Sequence, residues 1–480
     1  MEDKNIFPDN FMWGAASAAC QMEGGVETRG LTVSDIHLYD PNLDRKDPIE
    51  NELTKKQFFD LVNKAEENKD GYFPKRIGND FFHRYKEDID LMAEMGMKAY
   101  RFSLSWSRCM KVETNPFEIN EEGFEFYDNV INYLIQKNIE PIITIVHYDT
   151  PLDIIINYGG FDNKDVVELF MTYAREVIKR YHNRVKYFIP FNQINLLHYC
   201  GFKSIGVFKD VKNYEERKYI AVHNQFKCNA LLKKFAKSLD EDIKIGVMLA
   251  DCTYNPRTCN PKDIVLAMKR NRMQYFYADV NLRGEYPSSM LRYFRENNIN
   301  LELSEEDKSL LKENKLDFLA LSYYYSWTVD HKKDGLNPAD VTMNPYLKAN
   351  DWGWTIDPEG FYNVLCQYHD RYNKPIMIAE NGFGYQDKFE NNTVNDDYRI
   401  NYLESHIKMI KESLLDGVKI IAYLPWTSID IISSGTAEMS KRYGFVYVDA
   451  DDLGNGSYDR YKKKSFYWYK NLIENNGINL

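Results

Sequence analysis

The chain has 480 residues, 44% hydrophobic and 28% charged, with 36 Tyr, 27 Phe and 7 Trp, enough apolar side chain for a large core and too much for a disordered polymer. Its formal net charge of -11 excludes a general nucleic-acid binder, which needs a basic surface to displace counterions from phosphates. No window reaches the ~18 consecutive apolar residues of a membrane span, and "MEDKNIFPDN" lacks the basic head and apolar run of a signal peptide, so the expected location is the cytoplasm, away from membranes.

The first apolar run, "FMWGAASAA" from Phe11, is expected as a strand. Asp44 to Gly71 is rich in charge and poor in sustained apolar pattern, which predicts a surface insertion within one domain spanning residues 1–480. In "NDFFHRYKEDIDLMAEMG" apolar residues return at three and four positions, predicting a helix that Gly96 stops. The runs "AYRFSLSW" from Ala99 and "PIITIVHY" from Pro141 follow, then a second amphipathic helix, "KDVVELFMTYAREVIKRYH". Further strands are expected in "YFIPFNQI" from Tyr187, "KIGVMLA" from Lys244, "LDFLALSYY" from Leu316, "PIMIAENG" from Pro375 and "KIIAYLPW" from Lys419. Eight strands alternating with helices point to the α/β class and a closed (β/α)8 TIM barrel. Seven scattered cysteines without a CxxC pair suit reduced thiols, with neither a disulfide framework nor a structural metal.

In such a barrel the site gathers at the C-terminal ends of the strands. His147 closes the third run, Asn192 and Gln193 the fourth, Tyr323 and Tyr324 the sixth, Glu380 and Asn381 the seventh, and Trp426 the eighth. Each alone reads as a cap or a rim contact; their coincidence at the ends of successive strands points to a site. Arg101, inside the second run, needs a partner because an unpaired buried charge costs several kcal/mol, and Glu380 is the natural one.

The motifs "FPDNFMWGAASAACQMEGG", "YRFSLSWSR", "HYDTP", "FNQIN", "IAENGFG" and "KRYGFVYVD", in this order and followed by "KKSFYWYKNLIENNG", resemble glycoside hydrolase family 1, the β-glucosidase-like retaining glycosidases. The resemblance implies a barrel in which one carboxylate attacks the anomeric carbon while another protonates the departing oxygen and later activates water. Through "ENG", Glu380 would be the nucleophile, supported by Arg101 and Tyr323, with Tyr324 an alternative for the second role. Gln21, His147 and Asn192 would hydrogen-bond sugar hydroxyls, and Trp426 would be the platform beneath the ring.

Family members acting on unmodified sugars usually carry Glu-Trp where this chain has Ser433 and Ser434. Aligned with the branch it resembles most, the 6-phospho-β-glucosidases, the chain places Ser433, Lys441 and Tyr443 on the positions that bind the 6-phosphate. A glutamate at 433 would repel a dianion, whereas a hydroxyl donates to it and a lysine supplies charge. Read alone, Lys441 and Arg442 would be an exposed basic pair. The small Ser434 leans toward gluco over galacto substrates, and "DWGWTIDP" makes Trp352 and Trp354 candidates for the leaving-group side.

The chain departs from the family at Gln193, where the acid/base glutamate is usual; an amide cannot protonate an alkoxide or deprotonate water near neutral pH. Three accounts fit: an engineered exchange that disables the acid/base step, a natural glutamine as in plant myrosinases with their thiolate leaving groups, or a non-catalytic sugar-phosphate-binding protein. The expected activity is a retaining 6-phospho-β-glucosidase releasing glucose 6-phosphate, or its sulfur-tolerant counterpart, with no cofactor, no nucleic-acid or membrane partner, and a homodimer left open.

Overall fold

Eight short strands carry almost no exposed residue on either face, the signature of parallel strands covered by helices outside and packed side chains inside. The computed structural model describes residues 6–42, 44–45, 52–67, 71–198, 201–337 and 340–478. The strands are β1 Met12–Ala16, β2 Ala99–Ser103, β3 Glu140–Val146, β4 Tyr187–Phe191, β5 Lys244–Asp251, β6 Phe318–Tyr323, β7 Ile376–Asn381 and β8 Ile420–Tyr423. They pair in chain order and close into a barrel through β1 against β8, with Met12 opposite Ala422 and Trp13 opposite Tyr423. All eight apolar runs of the sequence become barrel strands, as expected.

The crossover helices follow the same logic. Phe81–Glu94 buries Phe81, Ile89 and Met92, and ends where Gly96 takes a left-handed φ of 79°, which glycine reaches without a Cβ penalty. Lys164–Tyr181 starts at Asn163, whose side chain accepts the Asp165 N–H at 3.0 Å, a cap contributing about 1 kcal/mol. It lays Val166, Phe170, Ala174, Val177 and Ile178 against the barrel. Among the described residues no helix is long and apolar enough to cross a membrane.

The charged stretch 44–71 departs from expectation. Its described part forms a helix, Lys55–Glu67, that buries Phe58, Val62 and Ala65 against Phe202 and Phe208 in a second, smaller core. Spacings of four and three put those three residues on one face, and the surrounding Lys and Glu mask that face in a linear reading. Residues 46–51 and 68–70 of the stretch lie outside the described residues.

Candidate active site

A charge placed on an apolar strand has to be satisfied inside the barrel, and Arg101 of β2 is fully satisfied. Its guanidinium donates to Glu380 Oε1 at 2.7 Å, Asn192 Oδ1 at 2.7 Å and Thr144 Oγ1 at 2.8 Å, tying together the ends of β2, β3, β4 and β7. The other Glu380 oxygen, Oε2, accepts from Tyr324 Oη at 2.9 Å and Gln193 Nε2 at 3.1 Å. Burial pushes the Glu380 carboxyl above its usual range, while Arg101 and the Tyr324 hydroxyl pull against that rise and favour the ionised form. The result is a buried carboxylate with three donors holding it at the floor of the rim.

The tyrosine on Glu380 is Tyr324, not Tyr323. Tyr323, the last residue of β6, turns outward, stacks on Phe361 with ring centroids 4.7 Å apart, and donates to the Asp357 carbonyl at 2.8 Å, where the helix Pro358–Tyr372 begins. Adjacent strand residues face opposite ways, so only one of the pair can reach the barrel axis. Burial and the neighbouring Glu380 push the Tyr324 phenol well above its usual range, so it stays a donor. Tyr324→Phe should lower kcat by roughly 10- to 100-fold, since it removes one hydrogen bond to a charged group. Tyr323→Phe should leave kcat nearly unchanged; steady-state kinetics of the two variants tests the assignment.

Among the described residues, Gln21 Oε1, His147 Nδ1 and Asn192 Nδ2 are buried polar atoms without a hydrogen-bond partner. An unmade buried hydrogen bond costs about 1–3 kcal/mol, so each of these atoms is available to a hydrogen-bonding ligand. Each is held from its other side. Gln21 Nε2 donates to the Ile432 carbonyl at 2.7 Å, and Asn192 is fixed by Arg101. The His147 ring stacks on Trp426 with centroids 5.7 Å apart; burial and then Arg101 push its pKa well below the ordinary value, leaving a neutral imidazole. Neutral imidazole can both donate to and accept from a sugar.

The loop after β8 supplies a different environment. Residues Lys441–Arg442 pair antiparallel with Tyr385–Gln386, so alternate side chains face opposite ways. Arg442 turns into the protein, donating to Asp430 Oδ2 at 3.0 Å and to the Val448 and Ala450 carbonyls, and lies 3.9 Å from the Tyr447 ring. Lys441 and Tyr443 therefore share the opposite face. The exposed basic pair read locally is in fact two buried cations, 4% and 5% accessible.

The Lys441 ammonium lies 4.0 Å from the Trp354 ring, 4.9 Å from Trp352 and 5.7 Å from Tyr443, with no ion pair to any described acid. Burial pushes its pKa down to about 7, against the pull of Glu438. Ser433 Oγ accepts from Thr436 Oγ1 at 2.9 Å, which leaves the serine O–H free to donate. A Cβ at Gly384 would stand 2.8 Å from Tyr443 Cζ and 3.0 Å from Lys441 Cε, so the bare backbone there is what lets both side chains enter. Trp352, a candidate for the leaving-group side, lies beside Lys441. Trp354 spans both regions, since its ring also sits 5.2 Å from Tyr324.

The family profile of glycosyl hydrolase family 1 matches residues 3–478. The chain belongs to that family. An aryl-phospho-beta-D-glucosidase of Bacillus subtilis is 43% identical over 99% of this chain and 98% of its own. A 6-phospho-beta-glucosidase of Escherichia coli is 39% identical over 99% of this chain and all of its own, 100%. Among solved structures, the family 1 beta-glucosidase of Thermotoga maritima superposes with a TM-score of 0.81 at 28% identity, covering 98% of each chain. This family 1 chain is a glycosidase in fold and kinship, which narrows what its rim residues do.

Some contacts of this family 1 site escaped the sequence. Tyr148 donates to Gln193 Oε1 at 2.9 Å and Ser322 Oγ accepts from Gln193 Nε2 at 2.7 Å, so both ends of the amide are fixed. Tyr148 and Gln193 both adopt left-handed backbones, φ 61° and 41°, a strain of about 1–3 kcal/mol each that clusters where side chains must be aimed. No sequence pattern announces a positive φ at a tyrosine or a glutamine. The position of Tyr148 directly after His147 at the end of β3 was the one available signal.

Proposed function

We propose that the chain is a retaining 6-phospho-β-glucosidase that releases glucose 6-phosphate, with Glu380 as nucleophile and Gln193 in the acid/base position. The observation that carries the phosphate part is Lys441: a buried ammonium caged by aromatic rings, with no carboxylate paired to it among the described residues, is costly unless an anion comes to it. Ser433 and Tyr443 add hydroxyl donors, and the relatives' names, aryl-phospho-beta-D-glucosidase and 6-phospho-beta-glucosidase, support the same substrate class.

Chemically, Glu380 Oε attacks the anomeric carbon, the C1–O bond to the leaving group breaks, and a glycosyl ester forms on Glu380. Arg101 and Tyr324 hold the carboxylate ionised and aimed, and pass to the ester oxygens as the charge disappears. The leaving group keeps the bonding electron pair, and Gln193 has no proton to give it. Aryloxides and thiolates depart without that proton far more readily than alkoxides, so the Gln193 form favours such groups. Water then attacks the anomeric carbon unassisted, the C1–O bond to Glu380 breaks with its electron pair returning to the carboxylate, the water proton passes to solvent, and glucose 6-phosphate leaves. A purely sugar-phosphate-binding role would have no use for a buried carboxylate with three donors, which supports an enzyme.

Hydrolysis of 4-nitrophenyl β-glucoside 6-phosphate against its unphosphorylated counterpart tests the reading. A preference of at least about 10²-fold in kcat/KM is expected from a buried, charge-assisted phosphate contact, and Lys441→Met should collapse it. Equal rates for both substrates in the unaltered protein would refute the phosphate pocket.

The pH dependence has a defined sign. Free Lys441 loses its proton near pH 7, and a bound dianion stabilises the ammonium and raises that pKa. Binding of glucose 6-phosphate at pH 8 should therefore take up close to one proton, with affinity falling as pH rises above 7. Calorimetry in buffers of different ionisation enthalpy measures the uptake, and Lys441→Met should abolish it.

A further inference from the structure

Near the Lys441 ammonium stands an acid that a phosphate site would ordinarily avoid. Glu438 is 6% accessible; its Oε1 accepts from Arg45 Nε at 2.8 Å and its Oε2 from the Trp352 indole N–H at 3.2 Å. The Trp352 ring touches two cations, the Arg45 guanidinium 5.2 Å and the Lys441 ammonium 4.9 Å from its centroid. Arg45 itself is about a third exposed, its side chain 34% accessible, and faces a cavity of 390 Å³ shared with Tyr39, Asp40, Asp351 and Thr436. Glu438 is tied to Ser433 in the same loop, its carbonyl accepting the Ser433 N–H at 2.8 Å.

Left alone, the Glu438 carboxylate has two effects on an incoming phosphate. It competes for the Lys441 ammonium and it repels the dianion. Arg45 opposes both by occupying one carboxylate oxygen, while its planar guanidinium lies over the Trp352 ring that also faces Lys441. Both charges reach Lys441: after burial, which dominates, Glu438 favours its ammonium and Arg45 opposes it.

We propose that Arg45 is a specificity-determining residue for phosphorylated substrates, a positioning residue that neutralises Glu438 and so reserves Lys441 for the 6-phosphate. The proposal deepens the 6-phosphoglucoside reading above and rests on it. Arg45 approaches the sugar only through Glu438 and Trp352, so its effect falls on phosphate affinity and not on bond cleavage.

The test is binding of glucose 6-phosphate by calorimetry, with glucose as control, which avoids any dependence on turnover by the Gln193 protein. Arg45→Met should weaken glucose 6-phosphate by roughly five- to twentyfold while leaving glucose unchanged, the signature of one uncompensated charge. Arg45→Lys, which keeps the charge, should recover affinity to within about threefold of the unaltered protein. The decisive variant is Arg45→Met combined with Glu438→Gln. With the acid neutral there is nothing left to compensate, so affinity should return to that of Glu438→Gln alone.

An Arg45→Met protein that binds glucose 6-phosphate as tightly as the parent overturns the proposal, and so does a double variant that stays at the Arg45→Met level. Lys441→Met separates this failure from that of the underlying reading. If it leaves glucose 6-phosphate affinity intact, the phosphate pocket itself is misplaced; if it weakens affinity while Arg45→Met does not, only the role of Arg45 is lost.

Discussion

Gln193→Glu should raise kcat on 6-phospho-β-glucosides with sugar or alkyl leaving groups by roughly 10²–10⁴-fold, the contribution of a positioned general acid and base. The geometry says why a carboxyl group would work there. Gln193 Nε2 sits 3.1 Å from Glu380 Oε2, and two carboxylates at about that distance cannot both ionise, so a glutamate at 193 would hold its proton toward neutral pH. When Glu380 becomes a glycosyl ester its charge vanishes, the pKa at 193 drops, and the same group becomes a base for the incoming water. Tyr148 and Ser322, which now grip both ends of the amide, would orient the acid equally well. The gain should shrink for 4-nitrophenyl and S-linked substrates, which need less protonation. A folded Gln193→Glu protein with no gain on poor leaving groups would show that acid/base chemistry resides elsewhere. Efficient cleavage of S-linked substrates by the Gln193 form, with little gain from glutamate, would favour a thioglucosidase.

Glu380→Gln should abolish turnover of every substrate, by a factor on the order of 10⁴–10⁶ in kcat, because the proposed covalent intermediate forms on the Glu380 carboxylate and an amide cannot replace it. Glucose 6-phosphate affinity should stay within a few-fold, since the phosphate contacts proposed for Ser433, Lys441 and Tyr443 are separate from the carboxylate. Stability should fall as well. Arg101 is 0% accessible, and stripping the charge from the partner of a buried ion pair can cost about 3–5 kcal/mol, although the glutamine amide would retain part of the hydrogen bonding. Single-turnover kinetics, ligand binding and thermal unfolding of the one variant separate the three effects. Retained turnover on activated aryl substrates would rule out Glu380 as the nucleophile.

The barrel was legible because parallel strands buried on both faces read as unbroken apolar runs, and all eight were in the chain. The Arg101–Glu380 pair was legible for a related reason: a guanidinium on an apolar strand demands a buried acid, and few acids stood at strand ends. Tyr323 against Tyr324 was not, because neighbouring residues where a strand ends differ only in which way the last residue turns. The helix Lys55–Glu67 was hidden by its charged flanks, although Phe58, Val62 and Ala65 carried the spacing of a buried face.

The sequence by itself determined the strand and helix alternation, the family and the chemical types at the rim, because these depend on local pattern and on residue identity. Only the tertiary structure decided direction and pairing. Lys441 and Arg442 are adjacent basic residues with opposite fates, Arg442 held by Asp430 and backbone carbonyls, Lys441 set against the rings of Trp352 and Trp354. Glu438 is compensated by Arg45, 393 residues away in the chain. Burial and charge compensation depend on distances through space, and those distances are set when β1 meets β8 and the loops settle over the rim.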